Sequence, residues 1–533
     1  MRLNFSFLDS PAFLPLRNTV FRGLWLASLV ANLTMWMNDV AAAWVMTSLT
    51  NDPMMVALIQ TASTLPVFLL GLPSGALADI LDRRRYFAAT QLMVALTAIA
   101  LAFLALSDSL TAPLLLTLTF VNGIGLAMRW PVFAAIVPAV VVREQLATAM
   151  GLNSIAMNLS RVLGPLLAGV VLASVGTAAV FVLNATLGLV ATMLILRWRC
   201  TPKTSTLPGE RFVGAMRVGL QHVMQSPRMK VVLLRIFMFF LHATALLALL
   251  PLIARQVHGG GPGSFTLMLA FLGLGAVGAT PFFPRWRKRF DRDRFVLYGT
   301  LGQAGTSVIV VLAPELWLAL PAMAVLGVSW ISTINSLTVA SQLALPNWVR
   351  ARGMSIYMMA LTGGAAAGSL VWGQVASLLN VSSAVLLAAA FGPLVLLLTR
   401  RLSVEGGEDP DFSPAQVGKI PDTATDIGPH EGPIMVTVQY QIDPLNRYEF
   451  AQIMQLTRRA RLRQGALSWG LFRDTSIPGR YIEYFVDETW IEHLRRLERF
   501  SAEDAGLREQ RLALHIGSQE PSVKRYVAEN LIL

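Results

Sequence analysis

The chain has 533 residues, of which 54% are hydrophobic and only 14% are charged, and its mean hydropathy is +0.57. A soluble domain carries roughly 25% charged residues, so this composition excludes an ordinary soluble protein and indicates a membrane protein. Residues 1–400 hold 27 Lys and Arg against 11 Asp and Glu, whereas residues 401–533 hold 16 against 20. Basic charge concentrated in the apolar part is typical of loops that face anionic lipid headgroups, and it argues against nucleic acid as a partner.

Twelve apolar stretches are long enough to cross a bilayer. A helix needs about 20 apolar residues for this, because it rises about 1.5 Å per residue through a layer about 30 Å thick. The stretches occupy residues 22–47, 54–78, 86–106, 113–136, 147–173, 176–197, 230–254, 264–284, 294–313, 316–340, 353–378 and 381–400. The first is too long for the apolar core of a signal peptide and no small-residue cleavage pattern follows it, so we expect it to remain as a span.

The loops between these stretches differ in charge from one side to the other. Five loops on one side hold 19 Lys and Arg, whereas the six loops on the other side hold Arg255 and almost nothing else. Lys and Arg accumulate on the cytoplasmic side of membrane proteins. We therefore expect a multi-pass protein of the bacterial inner membrane, with both termini and the charged loops in the cytoplasm.

The two sets of six spans resemble each other. A shift of about 202 residues places Gly151 over Gly353 and Gly125 over Gly327. Two similar six-helix halves are typical of carriers that expose a central site to each side of the membrane in turn. The sequence predicts an all-α membrane bundle. Its first half lies at 1–200, a cytoplasmic connector at 201–229 and the second half at 230–400.

The segment after the second span carries a charged motif, G-A-L-A-D-I-L-D-R-R-R. It resembles the motif G-x-L-A-D-R-x-G-R-R of the major facilitator superfamily, although Ile80 and Asp82 depart from it. Glycine lets helices approach closely, and an aspartate at a helix end can pair with cations or helix N-termini. The resemblance implies the twelve-helix major facilitator fold, with a conformational latch formed by Gly75, Asp79, Arg83 and Arg84. The alternative is that the arginines only fix the topology.

The fifth span carries a second motif, S-R-V-L-G-P-L-L-A-G. It resembles the motif G-x-x-x-G-P-x-x-G-G of exporters in the same superfamily. Pro165 removes a backbone donor and bends the helix, while Gly164 and Gly169 allow close packing. The resemblance implies a gating helix and outward transport, and ordinary small-residue packing is the alternative. In the fourth span, Thr119 stands where the superfamily has an arginine, so the proton-coupling role of that arginine is not transferred.

Asp39 is the acidic residue that lies well inside an apolar stretch. An ionised side chain at the middle of a membrane costs about 2.5 to 3.5 kcal/mol, so Asp39 requires a partner or an aqueous cavity. We expect Arg161 as its partner, with Arg129 as the second candidate. We expect Asp39 to titrate or to bind substrate, and the alternative is a static ion pair or a position near the headgroups. Further candidates for lining the pathway are Asn32, Trp36, Asn153 and Asn158.

The composition changes after residue 400. Residues 401–432 are acidic and rich in Pro and Gly, which is typical of a linker. Residues 433–533 alternate strand and helix patterns in the order βαββα, which predicts a small ferredoxin-like α+β domain. This tail resembles the domain of antibiotic-biosynthesis monooxygenases. The chain as a whole resembles the carriers called transmembrane secretion effectors, whose relatives include the enterobactin exporter.

These resemblances imply the export of a small amphipathic compound, such as a siderophore or an antibiotic. With Asp39 as the group that titrates, we expect a secondary active transporter that exports this compound in exchange for protons. The sequence shows no Walker motif, no cluster of metal ligands and no arrangement of a nucleophile with a base. We therefore expect that the protein does not hydrolyse ATP, needs no cofactor and is not an enzyme. The alternative is a membrane-tethered monooxygenase with Trp469, Trp490 and His493 lining a pocket in the tail. We expect the tail to dimerise or regulate instead. Uptake rather than export stays open, because topology does not fix direction.

Overall fold

The computed structural model describes residues 11–80, 82–142, 145–197, 212–257, 260–405, 411–413, 415, 423 and 425–529. Within these residues, twelve helices are long and apolar enough to cross a membrane. They confirm the mostly helical membrane fold that the sequence predicts. Their bounds fall within a few residues of the apolar stretches, because the length of an apolar run determines where a span can begin and end.

The twelve spans form two sets of six. The first set comprises α1 (Thr19–Leu49), α2 (Pro53–Ile80), α3 (Arg83–Leu106), α4 (Ala112–Val140), α5 (Leu146–Ser174) and α6 (Thr177–Arg197). A shorter helix, α7 (Phe212–Gln225), follows. The second set comprises α8 (Pro227–Leu252), α9 (Pro262–Ala279), α11 (Arg292–Leu312), α12 (Leu316–Leu343), α13 (Arg350–Leu378) and α14 (Val381–Leu398), with the one-turn α10 (Phe283–Trp286) between α9 and α11.

Polar side chains cap the start of several spans, among them α1, α3 and α11. Asn18 Oδ1 accepts hydrogen bonds from the first backbone N–H groups of α1. Asp82 accepts the N–H of Arg85 at 2.8 Å, and Asp291 accepts the N–H of Arg294 at 2.7 Å. The first N–H groups of a helix have no partner within the helix, so such caps stabilise its start by about 1 kcal/mol.

Apolar side chains at one end of the bundle form a continuous core shared by both halves. It includes Met37, Val40 and Val45 of the first half and Leu246, Leu249 and Ile253 of the second half, toward the side of the uncharged loops. Toward the charged loops, the buried residues of the described chain form separate groups, one around Phe87 in the first half and one around Phe283 in the second. In the described part of the chain, the apolar core that the two halves share therefore lies toward the uncharged side.

The tail contains a four-stranded antiparallel sheet with the strand order β2-β3-β1-β4. Its elements are β1 (Ile434–Gln441), α15 (Arg447–Arg463), β2 (Ser468–Arg473), β3 (Arg480–Asp487), α16 (Trp490–Glu498), α17 (Ala502–Ala513) and β4 (Ser522–Val527). The βαββα order matches the sequence prediction, whereas β4 was not predicted. One sheet face packs on a core that includes Val436, Phe450 and Phe485. On the other face, Phe472 is 61% exposed and its ring stacks on Tyr484.

The described residues fall into two compact units. The first contains most of the length of the spans. The second joins the tail to α7 and to residues 339–354. The sequence treats residues 201–229 as a polar connector and gives no separate helix there, so α7 is an addition to the predicted architecture.

Candidate functional site

Asn32, Trp36 and Asp39 lie on one face of α1. Their spacings of four and three residues return to the same side of a helix with 3.6 residues per turn. All three lie in the middle part of the 31-residue helix, and Asn32 is buried. The first span therefore presents an amide, an indole and a carboxylate in a row.

A different neighbouring span meets each of these three side chains. Arg129 of α4 donates from a guanidinium nitrogen to Asn32 Oδ1 at 2.8 Å. The guanidinium of Arg161 in α5 lies over the ring of Trp36, at 5.6 Å from its centroid. A cation over an indole face is attracted by the charge distribution of the ring.

Asp39 accepts a hydrogen bond from the hydroxyl of Ser63 in α2 at 3.3 Å. The expected ion pair between Asp39 and Arg161 or Arg129 is not formed in this conformation, because these arginines contact Trp36 and Asn32 instead. Arg129 contacts α1 at Asn32, which lies two turns, or about 10 Å along the helix axis, from Asp39. Arg129 is therefore too far from the Asp39 carboxylate to pair with it. The sequence analysis missed Ser63, although the polar run Gln60-Thr61-Ala62-Ser63-Thr64 within an apolar span was its signal.

Several donors around this row have no partner in the part of the chain that the structure describes. They are one terminal nitrogen of Arg129, the Nε of Arg161 and the indole nitrogen of Trp36. Arginine and tryptophan are donors only, so each of these atoms can bind only an acceptor. The site can therefore take a ligand that carries oxygen acceptors.

The two other asparagines proposed for the pathway differ from Asn32. Asn158 is exposed and donates to the backbone oxygen of Ser154, in its own helix, at 2.9 Å. The side-chain oxygen of Asn153 is buried and has no partner among the described residues. Neither forms a hydrogen bond with the row on α1 among the described residues, so their part in the pathway stays a prediction.

The glycines of the fifth span lie at two close helix contacts. A Cβ on Gly164 would collide with Trp36 of α1, within the first half. A Cβ on Gly169 would collide with Thr266 of α9, which belongs to the second half. Pro165 lies inside α5, between these contacts. Gly169 thus holds the two halves at a distance that a larger residue does not permit.

The charged motif after the second span is only partly described. The surroundings of Gly75 and the side chains of Asp79 and Arg83 lie outside the described part of the chain, so the latch stays a prediction. Arg84 donates to the backbone oxygen of Leu196 at the end of α6. Asp82, which departs from the superfamily motif, caps the start of α3.

Polar contacts join the halves on the uncharged side. Ser377 donates to the carboxylate of Asp52, and Arg255 donates to the backbone oxygen of Thr47. Each contact joins a residue of the first half to one of the second. Deeper in the bundle, the hydroxyls of Thr61 and Ser369 lie 2.7 Å apart. These bonds add to the shared apolar core on that side.

Glu483 is the centre of a buried polar network in the tail. It is fully buried and accepts hydrogen bonds from Tyr440 Oη at 2.9 Å, Trp469 Nε1 at 3.0 Å and Arg461 Nε at 3.1 Å. Burial alone would raise the pKa of Glu483, but Arg461 and Arg511 outweigh it and hold the pKa below its ordinary value. The carboxylate is therefore ionised and fully engaged.

A second buried network surrounds Asp487. His493 Nδ1 lies 2.7 Å from its carboxylate and Arg496 Nε lies 2.9 Å away. Burial lowers the pKa of His493, so the neutral ring donates to Asp487 and accepts from Arg525 at 3.1 Å. Trp490 is buried beside His493. The residues considered for a catalytic pocket are thus engaged in packing and in carboxylate networks.

Helix α7 packs against the tail. Arg217 forms an ion pair with Glu488 at 2.6 Å, and His222 Nδ1 lies 3.2 Å from the backbone oxygen of Arg463. Burial and the nearby Arg463 lower the pKa of His222 to about 3, so its ring is neutral and donates to that oxygen.

Trp348, in the segment between α12 and α13, contacts both α7 and the tail. The ring of His222 meets it edge-on at a centroid distance of 5.4 Å, and the guanidinium of Arg499 lies 4.8 Å from its ring centroid. One tryptophan therefore joins α7, this segment and the tail into one unit.

Comparison with known families gives a match that covers most of the chain. The profile of a family described as transmembrane secretion effector matches residues 10–531. The match includes both the spans and the tail.

Curated relatives match part of the chain. Macrolide efflux protein A of Streptococcus pyogenes is 23% identical over 246 residues, which are 45% of this chain and 60% of that protein. The staphyloferrin A transporter of Staphylococcus aureus is 21% identical over 256 residues, which are 47% of this chain and 63% of that protein. The chain thus spans less than two thirds of the length of these relatives.

Solved structures of transporters share the fold. The nucleoside transporter NupG aligns with a TM-score of 0.59 at 12% identity, over 72% of this chain and 98% of that one. A bacterial homolog of the human lysosomal transporter Spinster, in an inward-facing and unoccupied conformation, aligns with a TM-score of 0.56 at 15% identity, over 73% of this chain and 96% of that one. At such identities the likeness shows the fold alone.

Proposed function

The chain belongs to the transmembrane secretion effector family, and on that premise we propose that it is a secondary active exporter of a small amphipathic compound, such as a siderophore or an antibiotic. The observation that carries the proposal is the apolar core that the two halves share toward the uncharged side, next to a row of polar groups at mid-membrane. Alternating access requires a seal of this kind and a central site. Relatives of the chain are named for macrolide efflux and for staphyloferrin A transport, and these names support a small-molecule cargo.

The proposed orientation places the charged loops and both termini in the cytoplasm of a bacterial cell. The excess of Lys and Arg in these loops supports it. In that orientation the shared apolar core lies toward the outside, and the proposed cargo reaches the site on α1 from the cytoplasm. An exporter loads its cargo in this conformation.

The proposed driving force is exchange for protons at Asp39. Its carboxylate is a mid-membrane acid whose contact in this conformation is one hydroxyl, that of Ser63. Because no cation among the described residues neutralises this carboxylate in this conformation, a proton can take that role.

Asp39→Asn is expected to abolish protonophore-sensitive export, because an amide cannot carry the proton. Cells that produce the protein should accumulate less of a candidate siderophore or antibiotic than cells without it, and a protonophore should remove the difference. In cells that produce the Asp39→Asn variant, we expect the protonophore-sensitive part of export to fall at least tenfold. Asp108→Asn is the matched control, since Asp108 lies in an exposed turn with φ of 51°, a conformation that asparagine tolerates. If the Asp39→Asn variant kept full protonophore-sensitive export, Asp39 would not be the group that carries the proton.

The tail is proposed to be a ferredoxin-like module that regulates the carrier through α7. Its strand order β2-β3-β1-β4 and its contacts with α7 support this assignment. The uncovered sheet face around Phe472 favours dimerisation as a second role. Deletion of residues 401–533 distinguishes these roles from the alternative of a tethered monooxygenase. Transport that survives deletion favours the carrier, and oxidation by the tail favours the enzyme.

The unit formed by α7 and the tail is expected to lose stability in mild acid. In an unfolded chain, histidine has a pKa of about 6.5. In the folded unit, the pKa of His222 is about 3. The stability that its neutral ring contributes is present above about pH 6.5 and is lost as the pH falls toward 3, because the unfolded chain then binds a proton that the folded unit excludes.

Differential scanning fluorimetry of the full chain in detergent measures this effect. The melting temperature of the unit should fall between pH 7.5 and pH 5, and His222→Phe should reduce that fall. Phenylalanine keeps the edge-on contact with Trp348 and cannot titrate. His493, whose pKa is also lowered by burial, leaves a residual dependence. An identical pH profile in the variant would contradict the assignment to His222.

A further inference from the structure

Three charged side chains lie midway along the described spans, and all three meet at α1. Asp39 belongs to α1 itself, Arg129 to α4 and Arg161 to α5. Arg235, two turns inside its own span, reaches instead to the oxygens of Thr399 at the end of α14. The central charges of the carrier are thus two cations and one anion along one helical face.

The two cations are incompletely paired. Arg129 is only 4% exposed, and its protein partner is the neutral amide of Asn32. The guanidinium of Arg161 lies on the indole of Trp36, and its Nε has no partner in the described chain. A buried charge is costly unless an opposite charge and hydrogen bonds satisfy it. The two arginines contact α1 one turn apart, at Asn32 and Trp36, and each retains an N–H, unpaired among the described residues, that a cargo oxyanion could accept.

The single anion lies farther along the same face. Asp39 is three residues beyond Trp36 and seven beyond Asn32, which places it about 5 to 10 Å along the helix from the contacts of the two arginines. One oxygen of its carboxylate accepts from Ser63, so the carboxylate retains capacity for another donor. A cationic group of the cargo fits this position.

We propose that the cargo is zwitterionic: an oxyanion binds at Arg129 and Arg161, and an ammonium group about 5 to 10 Å away binds at Asp39. This assignment rests on the proposed function and names its substrate class. An ammonium at Asp39 occupies the place of the proton, as an exchange of cargo for proton requires.

A matched set of four fluorescent compounds tests the proposal. Nα-dansyl-lysine carries a carboxylate and an ammonium group, dansylcadaverine lacks the carboxylate, Nα-dansyl-norleucine lacks the ammonium, and N-hexyl dansylamide lacks both. Dansyl emission rises in an apolar site, so each dissociation constant is measured with the full chain in lipid nanodiscs. We expect Nα-dansyl-lysine to bind at least tenfold more tightly than the other three.

Two substitutions assign the charges to their residues. Arg161→Gln should remove the preference for Nα-dansyl-lysine over dansylcadaverine, and Asp39→Asn should remove its preference over Nα-dansyl-norleucine. Each variant should leave the affinity for N-hexyl dansylamide within about threefold of wild type, which shows that the site is still folded. Arg22→Gln, at an exposed arginine near the start of α1, is the charge control and should change neither preference.

Equal binding of the four compounds by the wild type, no binding of Nα-dansyl-lysine, or preferences that survive both substitutions would overturn the proposal. These outcomes leave the exporter assignment intact, because that assignment is tested by protonophore-sensitive accumulation in cells. Loss of that accumulation effect, with the binding preferences retained, would instead contradict export.

Discussion

Gly169→Val is expected to reduce export at least tenfold while leaving the protein folded in the membrane. A Cβ at this position would overlap the side chain of Thr266 on α9, at a contact between the two halves. Overpacking of a close contact costs about 1–3 kcal/mol, and about 1.4 kcal/mol is a factor of ten in an equilibrium. The substitution therefore disfavours the conformation that is sealed on the uncharged side.

Transport into inverted vesicles measures this loss, and size-exclusion chromatography checks the folding of the variant. Gly151→Val is the matched control, because Gly151 lies in the same helix and a Cβ there has no neighbour within 4 Å. If Gly151→Val slows export as much as Gly169→Val, helix propensity rather than the contact between the halves explains the effect. An unchanged rate in Gly169→Val would show that the contact does not limit the cycle.

Glu483→Gln is expected to lower the free energy of unfolding of the tail by about 3–5 kcal/mol, since removal of one partner leaves a buried charge unpaired. The unpaired charge is that of Arg461, whose side chain is 14% exposed. Glutamine keeps the shape and one acceptor, so the change isolates the lost charge. A domain is stable by only about 5–15 kcal/mol, which makes this a large fraction of the total.

Hydrogen exchange of the four tail strands in the full chain, measured against urea concentration, gives this free energy. Glu509→Gln is the control, because Glu509 is exposed on α17. We expect the control to stay within about 0.5 kcal/mol of wild type. A Glu483→Gln variant as stable as the control would mean that the network is held by its hydrogen bonds and not by charge.

The spans could be predicted from the sequence because they depend on local quantities. The length of an apolar run and the charge of the loop beside it determine where a helix crosses the membrane. The row formed by Asn32, Trp36 and Asp39 follows equally from helix periodicity. These features require no knowledge of neighbouring helices.

The partners of that row could not be predicted, because they depend on how far neighbouring helices are shifted along one another. Charge complementarity favours Arg161 for Asp39, yet the packing places Arg161 at Trp36 and Ser63 at Asp39. The same limit explains why the contact of His222 with the tail was missed. It joins residues more than 200 positions apart, and no pattern in the sequence records such a contact.

The three mid-membrane charges belong to the first six spans, and this has an electrical consequence. The second half carries no charge midway along its described spans, so its tilting by itself performs little work against the membrane voltage. A zwitterionic cargo adds no net charge. The voltage then acts on the proton alone, and one proton moving inward through 100 mV contributes about 2.3 kcal/mol to each cycle.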